Sequence, residues 1–261
     1  MMTIGGVAHI SWIVASLILS VVLILVVAKT NSKVQTFIIT TIGLTAVAGI
    51  FFLHGTHYFT KLDFFNLCKQ MFQVCNFNFI LIPLAMFKRN ELARQYLFYF
   101  SMPAALSTFV AYPSDVEGSM WYSLITITFW INHLFIALTP ILLVASKRFK
   151  PRINYVPKII LCIMLYFGAA FIANFALNGW SVTGDSNLSY TMESGSIMIL
   201  QPLFNLIPIP YIYLLPIVPV LLLIYYLVAI AFKKYELKGS FGFEFKKKFK
   251  GVKRCFIYLQ F

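Results

Sequence analysis

The chain has 261 residues, of which 60% are apolar and 11% charged, where a soluble domain carries about 45–50% and about 25%. That balance excludes a water-soluble fold. Its 21 Lys and Arg against 8 Asp and Glu give a net charge of +13. The basic residues stand between long apolar runs, so the charge reads as membrane topology rather than as a nucleic-acid surface. Four cysteines make no disulfide framework: Cys68 and Cys75 are two turns apart, roughly 10 Å along a helix, too far to bridge.

A bilayer core about 30 Å thick needs about 20 apolar helical residues. Seven stretches qualify: Val7 to Ala28, Val34 to Leu53, Phe64 to Phe87, Gln95 to Tyr112, Met120 to Ser146, Ile159 to Leu177 and Pro208 to Phe232. Nothing basic precedes the first, so it reads as a retained helix and not as a cleaved signal peptide. The third carries Lys69 near its start, and the fourth is short and contains Pro103. Between spans six and seven, a connection rich in Gly, Ser, Asn and Thr (Gly179 to Gly195) leads into Ile197 to Ile207, too short to span and suited to lying along or dipping into the outer face. Within that connection Asn187-Leu188-Ser189 spells a glycosylation sequon. The expected fold is an all-α, seven-helix, multi-pass domain over residues 1–232, followed by a basic tail over 233–261. No internal repeat marks the chain as an inverted-repeat transporter.

Basic residues fix the orientation. Lys29 and Lys33 follow span one, Lys88, Arg89 and Arg94 span three, and Lys147, Arg148, Lys150, Arg152 and Lys158 span five; nine more follow span seven. Nineteen of the 21 thus fall on one side, with only Lys61 and Lys69 on the other. Such residues stay in the cytoplasm, which places the amino end outside, the carboxyl end inside, and the protein as a multi-pass component of the plasma membrane. Asp115, Glu117, Asp185 and Glu193 then sit outside, with Trp121 and Trp180 as interfacial anchors. The tail interleaves Phe245, Phe249 and Lys246 to Lys250, a pattern suited to anionic lipids.

Polar residues at membrane depth need partners inside the bundle and are functional suspects. Lys69, Gln73 and Asn76 recur at helical spacing on span three, with Cys75 and Asn78 beside them. Asn132 and His133 lie on span five, Asn174 and Asn178 end span six, and His9, His54 and His57 crowd the outer ends of spans one and two. Counted from the inner ends, Cys75 and His133 lie roughly 18 and 20 Å deep. A thiol and an imidazole at one level are what a Cys-His nucleophilic pair requires; packing of Cys75 as a small hydrophobe and of the asparagines as interhelical glue is the competing reading. Span seven has no lysine for a retinal Schiff base, and no acidic-Arg-aromatic triplet ends span three as in a G-protein-coupled receptor. No phosphate loop or metal-ligand spacing occurs, so neither cofactor nor metal is expected.

Gln73-Val74-Cys75-Asn76, Ile82-Pro83-Leu84-Ala85, Phe129-Trp130-Ile131-Asn132-His133, Asn174-Phe175 and Pro208-Ile209-Pro210-Tyr211 resemble the YwaF-like bacterial integral membrane family. That family is in turn similar to eukaryotic cysteine-dependent transmembrane phospholipid acyltransferases. The resemblance covers most of residues 5 to 232 and implies that Cys75 accepts the acyl group and His133 acts as its base. It departs at one position, where Gln73 stands in place of a histidine two residues before the cysteine. The expected function is Cys-His acyl transfer on a phospholipid or other lipid, with Gln73, Asn76, Asn132, Asn174 and His9 contacting substrate. The alternatives are a carrier or binding protein for a small solute or lipid, and a scaffold of a membrane complex. The orientation is open to direct test: impermeant labels should reach a cysteine introduced between Gly179 and Gly195 from outside intact cells, and labelling of it from the cytoplasm alone would reverse the topology.

Overall fold

The computed structural model of the chain describes residues 3–60, 71–110, 118–181, 186–195 and 200–238. Lys61, Cys68, Lys69, Asp115, Glu117, Asp185 and the tail from residue 239 lie outside the described residues, as do the side chains of His54 and His57. The regular secondary structure among the described residues is helical, without a β-strand. Its α-helices are α1 (Val7–Lys29), α2 (Ser32–Thr60), α3 (Asn78–Met86), α4 (Glu91–Tyr96), α5 (Met102–Ser107), α6 (Leu124–Ala145), α7 (Val156–Leu177), α8 (Gln201–Leu206) and α9 (Ile217–Lys238).

Among the described residues, five helical segments are long and apolar enough to cross a membrane: Val7–Lys29, Ser32–Phe52, Leu124–Ala145, Ile153–Leu177 and Ile212–Phe232. These match the first, second, fifth, sixth and seventh expected spans. Buried residues make up 61% of the α6 span but 11% of those of α1 and α9, so α6 is the central helix. The outer face of α1 presents Val14, Leu17, Ile18 and Val21, the apolar surface that lipid requires.

The other two expected spans take a different form. Residues 64–70 of span three lie outside the described residues; after a helical Met71 the chain is turned over Phe72 to Phe77 and is α-helical again from Asn78, so the expected single helix is interrupted. Span four is a rod of α4 and α5 joined by a π-helical turn, Leu97–Ser101. Pro103 explains the widened register, because it has no N–H for the carbonyl four residues back; just before it, the Met102 N–H reaches back to the Leu97 carbonyl. All five residues of the π turn are buried. Phe100 meets Phe167 of α7, Tyr99 meets Tyr225 of α9, and Phe98 meets Phe232 of α9. The rod thereby joins α7 and α9 to the group formed by α1, α2 and α6.

Small residues allow the closest helix approaches, as membrane packing favours. A Cβ at Gly43 of α2 would meet the Met86 sulfur of α3 at 2.3 Å, and one at Gly49 would lie 3.0 Å from Asn132 Oδ1 of α6. Ala46 and Ile50 of α2, Ile82 and Ala85 of α3, and Ile136 and Ala137 of α6 close one shared core cluster.

Arg94, Arg148 and Arg152 meet at one end of the bundle. Arg94 Nε donates to the Ala85 carbonyl and its Nη1 to that of Arg148, whose Nη2 donates to Ser32. Burial lowers the Arg94 pKa from its ordinary value, Glu91 opposes the shift, and Arg89 and Arg148 add to it. Gln95, fully buried, holds this end together. Its Nε2 donates to Glu91 and to the Lys150 carbonyl, and its Oε1 accepts the Arg152 N–H. Gln95→Ala leaves the Lys150 and Arg152 backbone groups unpaired and should cost about 1–3 kcal/mol, read as a lowered thermal midpoint in detergent; an unchanged midpoint would show that water replaces the amide.

Candidate functional site

Phe72 to Phe77 carries Gln73, Cys75 and Asn76 in turns: Phe77 N–H donates to the Gln73 carbonyl four residues back at 3.0 Å, and the next three bonds tighten to the third residue back. Asn78 N–H donates to the Cys75 carbonyl at 3.4 Å, Phe79 to Asn76 at 3.0 Å and Ile80 to Phe77 at 3.1 Å. The Asn78 side chain adds a second donor to the Cys75 carbonyl, at 2.8 Å. An asparagine amide competing with the backbone in this way favours a turn over a continuing helix. Gln73 and Asn76 therefore do not form the helical stripe expected of them, and the depth of Cys75 does not follow from a uniform rise per residue.

A second non-helical segment, residues 186–195, packs against that turn. Two carboxamides on α7, one helical turn apart, hold it. Asn174 Oδ1 accepts the Leu188 N–H at 2.7 Å, while its Nδ2 donates to the Leu188 carbonyl at 3.1 Å and to Thr191 Oγ1 at 2.7 Å. Asn178 repeats the arrangement on Ser186, accepting its N–H at 2.9 Å and donating to its carbonyl at 3.0 Å. Each amide pairs as a neighbouring peptide group would. The segment is buried at Ser186, Leu188, Ser189, Thr191 and Ser194, and Asn187 is occupied by the backbone of Met192 and Glu193. The sequon thus lies folded inward, with its Ser189 1% exposed.

This segment reaches the cysteine turn through Ser189. Its N–H donates to Gln73 Oε1 at 3.0 Å, its hydroxyl donates to the Phe72 carbonyl at 3.0 Å, and Tyr166 of α7 contacts both the Ser189 hydroxyl, at 2.9 Å, and the Phe72 carbonyl. With Oε1 of Gln73 fixed as acceptor, its Nε2 is the donor end of the amide. Asn174 is thus linked to Gln73 through the loop.

The remaining expected residues sit around α6. Nδ1 of His133 is 2.8 Å from the Phe129 carbonyl. A carbonyl only accepts, so Nδ1 carries the hydrogen and Nε2 the basic lone pair. The Phe129 ring lies against the imidazole, centroids 4.2 Å apart. His9 has the opposite tautomer: Gly5 N–H donates to Nδ1 at 2.9 Å, which makes Nε2 the donor to the Phe109 carbonyl at 2.9 Å. Both its nitrogens serve the chain itself, tying the start of α1 to the segment after α5. Asn132 is 1% exposed, and neither its Nδ2 nor its Oδ1 has a hydrogen-bond partner, a costly state for a buried amide. Space for it exists because Gly49 faces it without a Cβ. Ser189, Tyr166 and Gly49 were absent from the candidate residues; the polar run around Ser189 in so apolar a chain was the available signal.

In comparison with known proteins, the TMEM164 family model matches residues 4–230. No curated protein and no solved structure matches. The two carboxamides make a graded prediction. Asn174→Leu strands the Leu188 N–H and carbonyl in a buried setting and should cost about 2–4 kcal/mol, against about 1 kcal/mol for Asn178→Ala at the half-exposed end. Thermal unfolding of both variants tests the order, and equal losses would contradict it.

Proposed function

The chain belongs to the TMEM164 family, and we propose that it is a Cys-His acyltransferase acting on membrane lipids. The observation that carries the reading is the His133 tautomer: the Phe129 carbonyl holds Nδ1–H and leaves Nε2 as the proton acceptor, the form that a general base for a thiol needs. Helix phase supports the pairing. His133 stands one turn from Ile136 and Ala137 on α6, and Asn78, which holds the Cys75 carbonyl, stands one turn from Ile82 on α3; these three apolar residues meet in one cluster. The resemblance of the Gln73 to Asn76 and Phe129 to His133 motifs to cysteine-dependent acyltransferases agrees with it.

In the proposed sequence, His133 Nε2 takes the Cys75 proton and the thiolate attacks the ester carbonyl of a phospholipid. The amide donors of Gln73, Asn76 and Asn132 stabilise the oxyanion. The intermediate collapses with cleavage of the ester C–O bond, and the imidazolium returns its proton to the departing lysolipid alkoxide. A second lipid hydroxyl, deprotonated by His133, then attacks the Cys75 thioester and regenerates the thiol. His9 and Asn174 support the surrounding fold, and substrate contact by either would come only with rearrangement of their present bonds. We place this site in a seven-crossing plasma-membrane protein with the amino end outside, the basic end at the inner leaflet and the tail on anionic lipids, on the strength of the basic-residue split.

Acyl-thioester trapping with mass spectrometry tests the reading. Wild-type protein given a phospholipid donor should carry the acyl group on Cys75. Cys75→Ala should abolish transfer and His133→Ala lower it by about 100-fold or more. Full activity in Cys75→Ala, or label on another residue, would leave the carrier and scaffold readings.

A further inference from the structure

Tyr166 holds both ends of the turn that contains Cys75. Its hydroxyl donates toward the Phe72 carbonyl, three residues before the cysteine. Its ring packs on Phe77, two residues after it, with centroids 5.2 Å apart and planes at 45°. Ser189 engages the same turn from the opposite direction in sequence, through the Phe72 carbonyl and the Gln73 amide. The Tyr166 hydroxyl, the Ser189 hydroxyl and the Phe72 carbonyl make three mutual contacts, yet the two hydroxyls supply only two hydrogens. One contact is always left without a proton, so the triangle is a compact polar unit inside the bundle and not a set of independent bonds.

The backbone pays for this placement. Ser189 and Tyr190 are consecutive non-glycine residues in the left-handed region, with φ of 53° and 58°, a conformation that costs about 1–3 kcal/mol per residue and persists only where its surroundings impose it. Here the imposing contacts are the Asn174 amide on Leu188 and the Tyr213 hydroxyl on the Tyr190 carbonyl. Relaxing Ser189 to an extended conformation would turn its N–H away from Gln73 and release the cysteine turn.

We propose that Ser189 and Tyr166 are positioning residues of the Cys75 site, which fix the turn and aim the Gln73 Nε2 donor at the reacting carbonyl. This rests on the reading of Cys75 as the acyl-accepting thiol, but its first test does not need acyl transfer. Full-length protein is treated with N-ethylmaleimide and the adducts at Cys75 and Cys162 are timed by peptide mass spectrometry. Cys162, on α7 with Tyr166, reports general loosening. Ser189→Ala and Tyr166→Phe should each change Cys75 alkylation by about fivefold or more at unchanged Cys162 alkylation, because they free a local segment and not the bundle. In parallel, acyl transfer by Ser189→Ala should lose kcat by about tenfold or more with little change in KM, as misplacement of a reacting group does. Cys75 rates unchanged in both variants, or Cys162 changing in proportion, would overturn the proposal; where one variant fails to fold, the other decides. If wild-type protein transfers no acyl group while Cys75 responds selectively, the acyltransferase reading fails and the positioning role stands.

Discussion

Hydrocarbon cannot solvate a peptide group, so non-helical chain at membrane depth survives only where other parts of the protein satisfy its N–H and C=O groups. The pairing of Asn174 and Asn178 with Leu188 and Ser186 meets that demand, and the interior polar structure depends on it. Without those carboxamides the 186–195 segment would have two peptide units stranded in the bundle. With them it enters, and Ser189 arrives at Gln73 and Phe72. The turn around Cys75 then has partners, and a helix that apolarity alone would continue gives way to a site.

The two described histidines illustrate how little their residue type says about chemistry. Both are buried, and both contact a backbone carbonyl. For His9 the second nitrogen accepts from Gly5, which closes the ring into a strut between α1 and the end of the central rod. In His133 the carbonyl contact of Nδ1 lies on its own helix, one turn back. The two rings thus differ in which nitrogen meets a carbonyl.

The central rod gives this arrangement its rigidity. Pro103 forces the register change that places Leu97–Ser101 in a π turn, a geometry frequent at functional positions, and the turn spreads large aromatics toward α7 and α9. The same register leaves the Tyr99 and Ser101 hydroxyls buried and unpartnered, as Asn132 is on the neighbouring α6. Unsatisfied polar groups of this kind are stored cost in the bundle, and α1 carries one as well, at Trp12 Nε1.

Apolar run length determined the all-helical membrane class and five of the spans, because these follow from transfer energies of single side chains summed over about 20 neighbours. The same reasoning singled out Cys75, His133, Gln73, Asn132 and Asn174 as polar residues needing partners. It read Phe64 to Phe87 as one helix because hydropathy weighs side chains and is blind to backbone partners elsewhere in the chain. Gln73 and Ser189 are 116 residues apart, and neither residue alone specifies a turn. The tautomer of His9, the burial of Ser189 within the sequon and the left-handed backbone at Ser189 were likewise decided only by tertiary structure, since each depends on which carbonyl or amide the packed helices bring within about 3 Å.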